Sequence, residues 1–284
     1  MTLRRAQDGA LRRAQDGALA LRGEKLTRTF SSAAGDVHAC VDIDIEVAAG
    51  ELVVVRGASG AGKTTLLNLL GGLDRPTSGK VWLGDVEATA LDEDALAALR
   101  RERLGFVFQS FGLIPILSAA ENVELPLRIA KTPPAERDAR VAEALRLVGL
   151  ADHAAQRPGE LSGGQQQRVG IARAIAARPH VLIADEPTGQ LDSRTAATVM
   201  DLIGDLVHSQ GLAAVVSTHD PLLVQRADRV IELHDGRVTS VDGDPVTASD
   251  PDAEDAASVA PATPRTRAEA RHRRPAEADD PHGG

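Results

Sequence analysis

The sequence predicts an α/β fold with a mostly parallel sheet, on three observations. From Val181 onward, apolar strand patterns alternate with helical ones: Val181–Ala184, a helix from Ser193 to His208, then Ala213–Ser217. That alternation is the mark of a parallel sheet with helical crossovers. Upstream, Leu52-Val53-Val54-Val55 reads as a strand buried on both faces, followed by a glycine-rich turn and the helical run Leu66-Leu67-Asn68-Leu69-Leu70. The chain of 284 residues, 43% hydrophobic, is also long enough to fill one large core. Aromatics are nearly absent, with no Tyr, one Trp, and Phe only at 30, 106, 108 and 111, so aliphatic residues and Ala must build that core.

Residues 3–10 and 11–18 repeat one octapeptide, Leu-Arg-Arg-Ala-Gln-Asp-Gly-Ala. Two copies are too few for a solenoid, and 1–22 is expected to be a disordered, duplicated extension. The folded domain is placed at 23–241. Strands are expected at Leu26–Phe30, Val41–Val47 and Val81–Leu83, the second alternating strictly through Asp42-Ile43-Asp44-Ile45-Glu46-Val47 as a strand with one wet face should. A helix is expected over Asp92–Arg103, with Leu91, Ala95, Leu96 and Leu99 on one side, followed by a strand at Gly105–Phe108. Another should start with Thr132 as N-cap and Pro133 at its first position, bury Val141, Leu145 and Val148, and end at Gly149. A third begins after Leu161-Ser162 and ends before Pro179. Residues 242–284, rich in Asp, Ala, Pro, Arg and Glu without apolar periodicity, are expected to form a disordered tail.

The net charge of −9 argues against nucleic acid as the main partner. Cys40 is the only cysteine, which forbids an internal disulfide and suits a small buried hydrophobe. No run approaches 18 apolar residues, and the arginine pairs Arg4-Arg5 and Arg12-Arg13 precede no apolar secretory segment, so a cytoplasmic location is expected.

The turn after Val55 carries chemistry. Gly57-Ala58-Ser59-Gly60-Ala61-Gly62-Lys63-Thr64-Thr65 fits G-x-x-x-x-G-K-[ST] in the required strand–loop–helix setting. Glycines let backbone N–H groups approach phosphate oxygens, and the helix opening near Lys63 adds its positive dipole end. Lys63 should reach the β- and γ-phosphates, and the Thr64 hydroxyl should ligate Mg²⁺. Two further apolar strands end in polar groups: Val181–Ala184 runs into Asp185-Glu186, and Ala213–Ser217 into Thr218-His219. Ligands of open parallel sheets bind beyond the carboxyl ends of the strands, so adjacent strands would bring these groups together. Asp185 is then placed for Mg²⁺ and Glu186 for polarising an attacking water.

Leu161-Ser162-Gly163-Gly164-Gln165 adds a second phosphate cradle: a Ser N-cap, two glycines and a helix N-terminus. Here the chain resembles the ATP-binding cassette (ABC) ATPases over roughly residues 24–240, with LSGGQ as their signature. The resemblance implies a P-loop NTPase core, an antiparallel β subdomain, and an α-helical subdomain at roughly 110–178 carrying the signature. It implies ATP with Mg²⁺ as cofactors, and a two-fold dimer in which each ATP lies between one copy's P-loop and its twin's signature. By position, Gln109 matches the Q-loop glutamine that senses metal and water, Asp185 the Walker B aspartate, Glu186 the catalytic glutamate, Asp192 the D-loop, and His219 the switch histidine. Phe30 is the candidate for stacking on adenine, against the alternative of an ordinary core Phe. His38, His153, His180, His208 and His234 are set aside as incidental. No motif is degenerate, so an active ATPase is expected.

Within the family, the stretch from Phe108 through Leu127 resembles the lipoprotein-release and macrolide-export group, with the cell-division cassettes close by. That implies a permease partner in the membrane and peripheral attachment through it at the inner face of the cell membrane. The alternative is a non-transport cassette that regulates a membrane partner. Repair and chromosome cassettes would need coiled-coil insertions or zinc cysteines, and translation-factor cassettes a second cassette; the sequence has none of these. Phe111 and Leu113–Ile116 make a loop more apolar than solvent favours, expected to receive a short helix of the permease.

Overall fold

The computed structural model describes residues 19–32, 35–220 and 224–246. At its centre lies β3 (Leu52–Arg56), whose four apolar residues are all fully buried. It belongs to a seven-stranded sheet of order β11-β10-β9-β3-β8-β7-β6. Here β6 is Leu104–Val107, β7 Val181–Asp185, β8 Ala213–Thr218 and β9 Arg229–His234. These strands run parallel to β3 or to one another, while β10 (Arg237–Val241) and β11 (Asp244–Pro245) close the edge as an antiparallel hairpin.

The two-residue period of the strands divides the core in two. Leu52, Val54, Leu182, Ala184, Ala214 and Val216 face one layer of helices. These are α3 (Ala119–Ile129), α4 (Pro134–Leu147), α5 (Gly163–Ile175) and α6 (Ser193–Gln210). Val53, Val55, Val181, Ile183, Ala213 and Val215 face α1 (Lys63–Leu70), α2 (Glu93–Arg103) and a second sheet. That sheet is antiparallel, of order β2-β1-β4-β5, from β1 (Leu19–Ser32), β2 (Gly35–Ala48), β4 (Ser78–Leu83) and β5 (Val86–Glu87). The alternation in β2 holds: Ile43, Ile45 and Val47 are buried, while Asp42 and Asp44 face out and pair with Lys25 at 3.4 and 3.2 Å. Cys40 is fully buried, and desolvation pushes its thiol up to about 12.

Three expected boundaries move. Order begins by Leu19, inside the segment expected to be disordered, because Leu21 is buried between Val47 of β2 and Leu83 of β4; residues 1–18 lie outside the described residues. The α4 helix starts one residue late, with Pro133 as N-cap and Pro134 first. A residue before proline is pushed out of the helical region, so Pro133 takes φ −56 and ψ 144 and Thr132 is displaced from the cap. At the other end, Asp242 and Gly243 adopt left-handed φ, and the turn they make pairs Asp244 with Val241, inside the expected tail. Residues 247–284 lie outside the described residues. Within α2, Leu96 and Leu99 are buried as expected, but Ala95 is exposed.

Gln167 in α5 is fully buried, and among the described residues neither of its amide atoms meets a partner. An unsatisfied buried polar group costs ~1–3 kcal/mol. Gln167→Met keeps the volume and removes the unmet groups, so the melting temperature is expected to rise by roughly 2–6 °C. A lower melting temperature in a thermal scan would show that the amide is satisfied by water.

Candidate functional site

The turn from β3 to α1 is built so that it tolerates no side chain at Gly57 or Gly62. A Cβ on Gly57 would lie 2.3 Å from the Leu233 carbonyl oxygen, and one on Gly62 would lie 2.2 Å from that of Ala39. Gly60 and Gly62 also have φ of 82 and 102, values open mainly to glycine. Ala61 is buried, while Ala58, Ser59, Gly60 and Thr64 are exposed and Thr65 is half-buried. No side chain caps α1, so its N-terminal N–H groups are free to meet an anion. Lys63 is 6% exposed, and its Nζ donates to the carbonyls of Gly57 at 2.9 Å and Ala58 at 3.1 Å.

Strand β8 pairs with both β3 and β7, which puts the three polar strand ends side by side: Arg56 is opposite Thr218, and Asp185 opposite Ser217. The buried Ser217 hydroxyl donates to Asp185 Oδ1 at 2.6 Å and accepts the Glu186 N–H at 2.8 Å. Glu186 has φ 43, a left-handed conformation that costs ~1–3 kcal/mol in a non-glycine residue and recurs at working sites. The result is a carboxylate aimed inward, with Oε1 3.6 Å from Lys63 Nζ and 3.4 Å from His219 Nδ1. A pocket of about 120 Å³ opens beside it, lined by Glu186, Thr188, Gly189, Thr218 and His219 among others. A carboxylate held between two nitrogen groups in such a pocket can orient a water and accept its proton.

Ser162 caps α5 as expected. Its Oγ accepts the Gln165 N–H at 3.3 Å, and Gln165 Oε1 accepts the Ser162 N–H at 2.8 Å. This reciprocal box shapes the first turn, Gly163-Gly164-Gln165. A Cβ on Gly164 would strike Thr195 of α6 at 2.3 Å, so the glycine is required for α5 to approach that helix. Asp192, the N-cap of α6, accepts from the N–H groups of Arg194 and Thr195, each at 3.1 Å, and from the Thr195 hydroxyl at 2.6 Å. The Thr195 hydroxyl bond holds the Asp192 carboxyl below the usual carboxylate range.

A sequence profile of the ABC transporter family matches residues 40–189, a little over half of the chain. The chain belongs to the ABC transporter family. This cassette is 47% identical over 221 residues to the lipoprotein-releasing system ATP-binding protein LolD 1 of Rhodospirillum rubrum, an alignment covering 78% of the chain and 98% of LolD 1. It is 48% identical over 222 residues to the macrolide export ATP-binding/permease protein MacB of Rhodopseudomonas palustris, covering 78% of the chain but only 34% of MacB. The fold matches a dimeric ATP-binding cassette in a post-hydrolysis state bound to ADP and Pi, with TM-score 0.72 and 40% identity over 78% of this chain and 97% of that one. The chain is therefore the ATP-binding, ATP-hydrolysing subunit of an ABC transporter.

Around this ABC site the remaining expected residues are placed unevenly. Gln109 lies two residues beyond β6 and is exposed, with its amide nitrogen 3.0 Å from the position a Gly189 Cβ would take, so it borders the loop after Glu186. Phe30 is 42% exposed with the Arg28 guanidinium 4.5 Å above its ring, which removes the reading as an ordinary core Phe. Phe111 is only half-buried, but it turns inward: its φ is 58, its ring reaches to 3.7 Å from a Cβ placed on Gly163, and its carbonyl accepts from Arg173 Nη2 at 3.1 Å. The expected loop patch is corrected accordingly. The exposed apolar side chains are Phe108, Ile114 and Ile116, the last 76% exposed. Four residues that organise the site and the loop beside it were missed. Ser217 needs the β7–β8 register to be recognised, Arg173 and Asn122 act across 62 and 8 residues, and His153 touches Gln165 across 12.

Proposed function

We propose that two copies of this cassette close around two ATP molecules and pass that closure to a permease in the membrane, in an export or lipoprotein-release system. The observation that carries the chemistry is the convergence of Lys63, Asp185-Glu186 and His219 at the adjacent ends of β3, β7 and β8. In this reading the P-loop amides and Lys63 hold the β- and γ-phosphates, and Phe30 stacks on adenine. The Ser162–Gln165 turn meets the γ-phosphate of the ATP bound to the other copy, with Asp192 at the seam. Glu186 takes a proton from the attacking water, and His219 faces the γ-phosphate. Thr64, Asp185 and Gln109 fit Mg²⁺, which takes few protein ligands when nucleotide phosphates supply the rest.

Among the described residues no helix is long and apolar enough to cross a membrane, so the work must leave through a surface. The similarity to LolD 1 over nearly its whole length supports an ATP-binding subunit that works with a permease at the cytoplasmic face. The loop 108–118 is suited to receive it. Buried Asn122 fixes that loop: its Oδ1 accepts the Ile114 N–H at 2.8 Å, and its Nδ2 donates to the carbonyls of Ile114 at 3.1 Å and Ser118 at 2.9 Å. Arg173 holds its other end at the Phe111 and Gly112 carbonyls. Phe108, Ile114 and Ile116 are thus presented rigidly to solvent, which lowers the ordering cost of binding.

Ile116→Cys tests this cleanly, because burial suppresses the only native thiol. A cysteine-reactive photocrosslinker at that position, in host membranes, is expected to capture an integral membrane protein. Ile114→Asp in the same Ile116→Cys background should abolish capture of the permease and leave basal ATPase within about twofold. Capture of no membrane protein, or equal loss of basal activity, would overturn the assignment.

A further inference from the structure

We propose that His153 is a positioning residue for the signature turn, fixing the side-chain amide of Gln165 by accepting its hydrogen bond. The polarity of the contacts leaves one consistent arrangement. Gln165 Oε1 is committed to the Ser162 N–H at 2.8 Å, since a backbone donor can only be met by an acceptor. Its Nε2, which can only donate, then points at His153 Nε2, 3.3 Å away. That ring nitrogen must therefore offer its lone pair, which puts the ring proton on Nδ1. Nδ1 lies 2.7 Å from Gln156 Oε1, which accepts it. Ser162, Gln165, His153 and Gln156 form a head-to-tail relay in which each donor meets an acceptor.

The far end of the relay is anchored. The turn carrying His153 is closed by the Gln156 N–H donating to the His153 carbonyl at 3.1 Å. The Gln156 carbonyl accepts from Ala119 N–H at 2.7 Å, and the Ala154 carbonyl accepts from Ala120 N–H at 2.9 Å. Both donors open α3, directly after the exposed loop that ends at Ser118. His153 thus links the first turn of α5 to a fixed point outside that helix. Without it, Gln165 is free to rotate, the capping box loses the bond to the Ser162 N–H, and the N–H groups of Gly163, Gly164 and Gln165 lose their set direction.

This inference rests on the proposed sandwich, in which that turn meets ATP bound to the other copy. His153 should consequently matter for closure and turnover, and not for nucleotide held by the same chain's P-loop. His153→Phe keeps the ring and removes the acceptor; His153→Gln restores an acceptor at about the same reach. In the full chain, kcat of His153→Phe is expected to fall roughly three- to tenfold. Binding of a fluorescent ADP analogue should stay within about twofold, and His153→Gln should recover most of the rate. In a Gln165→Met background, where the donor is gone, His153→Phe should have no further effect. Unchanged kcat in His153→Phe, no rescue by His153→Gln, or additive losses in the double variant would each overturn the role. Should His153→Phe fold poorly, the rescue and the cycle can be run with His153→Leu. ATP-driven dimerisation of Glu186→Gln tests the sandwich separately, so its failure is distinguishable from failure of the His153 assignment.

Discussion

Glu186→Gln is expected to bind ATP and fail to cleave it, with turnover reduced roughly a hundred- to ten-thousandfold, the range for loss of a positioned proton acceptor. The substitution changes little else. The left-handed backbone at 186 is held through main-chain atoms, by its own N–H to Ser217 Oγ and by its carbonyl accepting from Gly189 N–H at 3.0 Å. An amide of the same size fits between Lys63 and His219, and Lys63 keeps its two carbonyl partners. The ligand should therefore persist and hold the closed dimer. In size exclusion the variant should run as a dimer with ATP and as a monomer without it. ATP that leaves it monomeric would remove the sandwich, and near-native turnover would remove Glu186 as the base. Ser162→Arg should abolish the same dimer, since it deletes the cap of α5 and crowds the turn that has to meet the other copy.

What could be read in the sequence was local. The strand Leu52–Val55 announced itself as an apolar run leading into the glycines of a phosphate cradle, and Ser162 before two glycines read as the N-cap it is. His219 stood apart from the other histidines because it follows a buried strand, and it does lie beside Glu186. What was illegible depends on register and on distant partners. The bridging role of Ser217 exists only once β8 is set against β7 with Asp185 opposite it. Of the apolar loop expected at Phe111 and Leu113–Ile116, Ile114 and Ile116 are exposed, Phe111 and Leu113 are half-buried, and Phe108 was not counted. Phe111 looked exposed by position, yet Arg173 grips its carbonyl from α5 and its ring turns toward Gly163. His153 was indistinguishable from a solvated histidine, because its partner Gln165 belongs to another helix and comes near only through the turn at 151–156.

Lys63→Ala is expected to reduce ATP hydrolysis to background, and to do so by a different route from Glu186→Gln. Among the described residues only Lys63 and Glu124 are buried charged side chains, and the Lys63 ammonium is held by the Gly57 and Ala58 carbonyls with Glu186 3.6 Å away. In this arrangement Lys63 sits under the loop that must wrap the phosphates. Its loss removes the charge that would meet them and leaves two loop carbonyls without their donor. Lys63→Arg should not rescue. A planar guanidinium is wider than an ammonium, and the space is shaped around a compact point charge sharing its protons between two carbonyls. The two routes separate in a thermal shift assay, because a ligand that binds only the folded state stabilises it by RT ln(1 + [L]/Kd). At ATP one hundred times the native Kd that is about 2.7 kcal/mol, an easily read shift. Glu186→Gln should keep this shift in full, whereas Lys63→Ala should lose most of it. A Lys63→Ala protein that retains both the shift and turnover within tenfold of the native chain would place Lys63 outside the nucleotide site, and the P-loop assignment would fall with it.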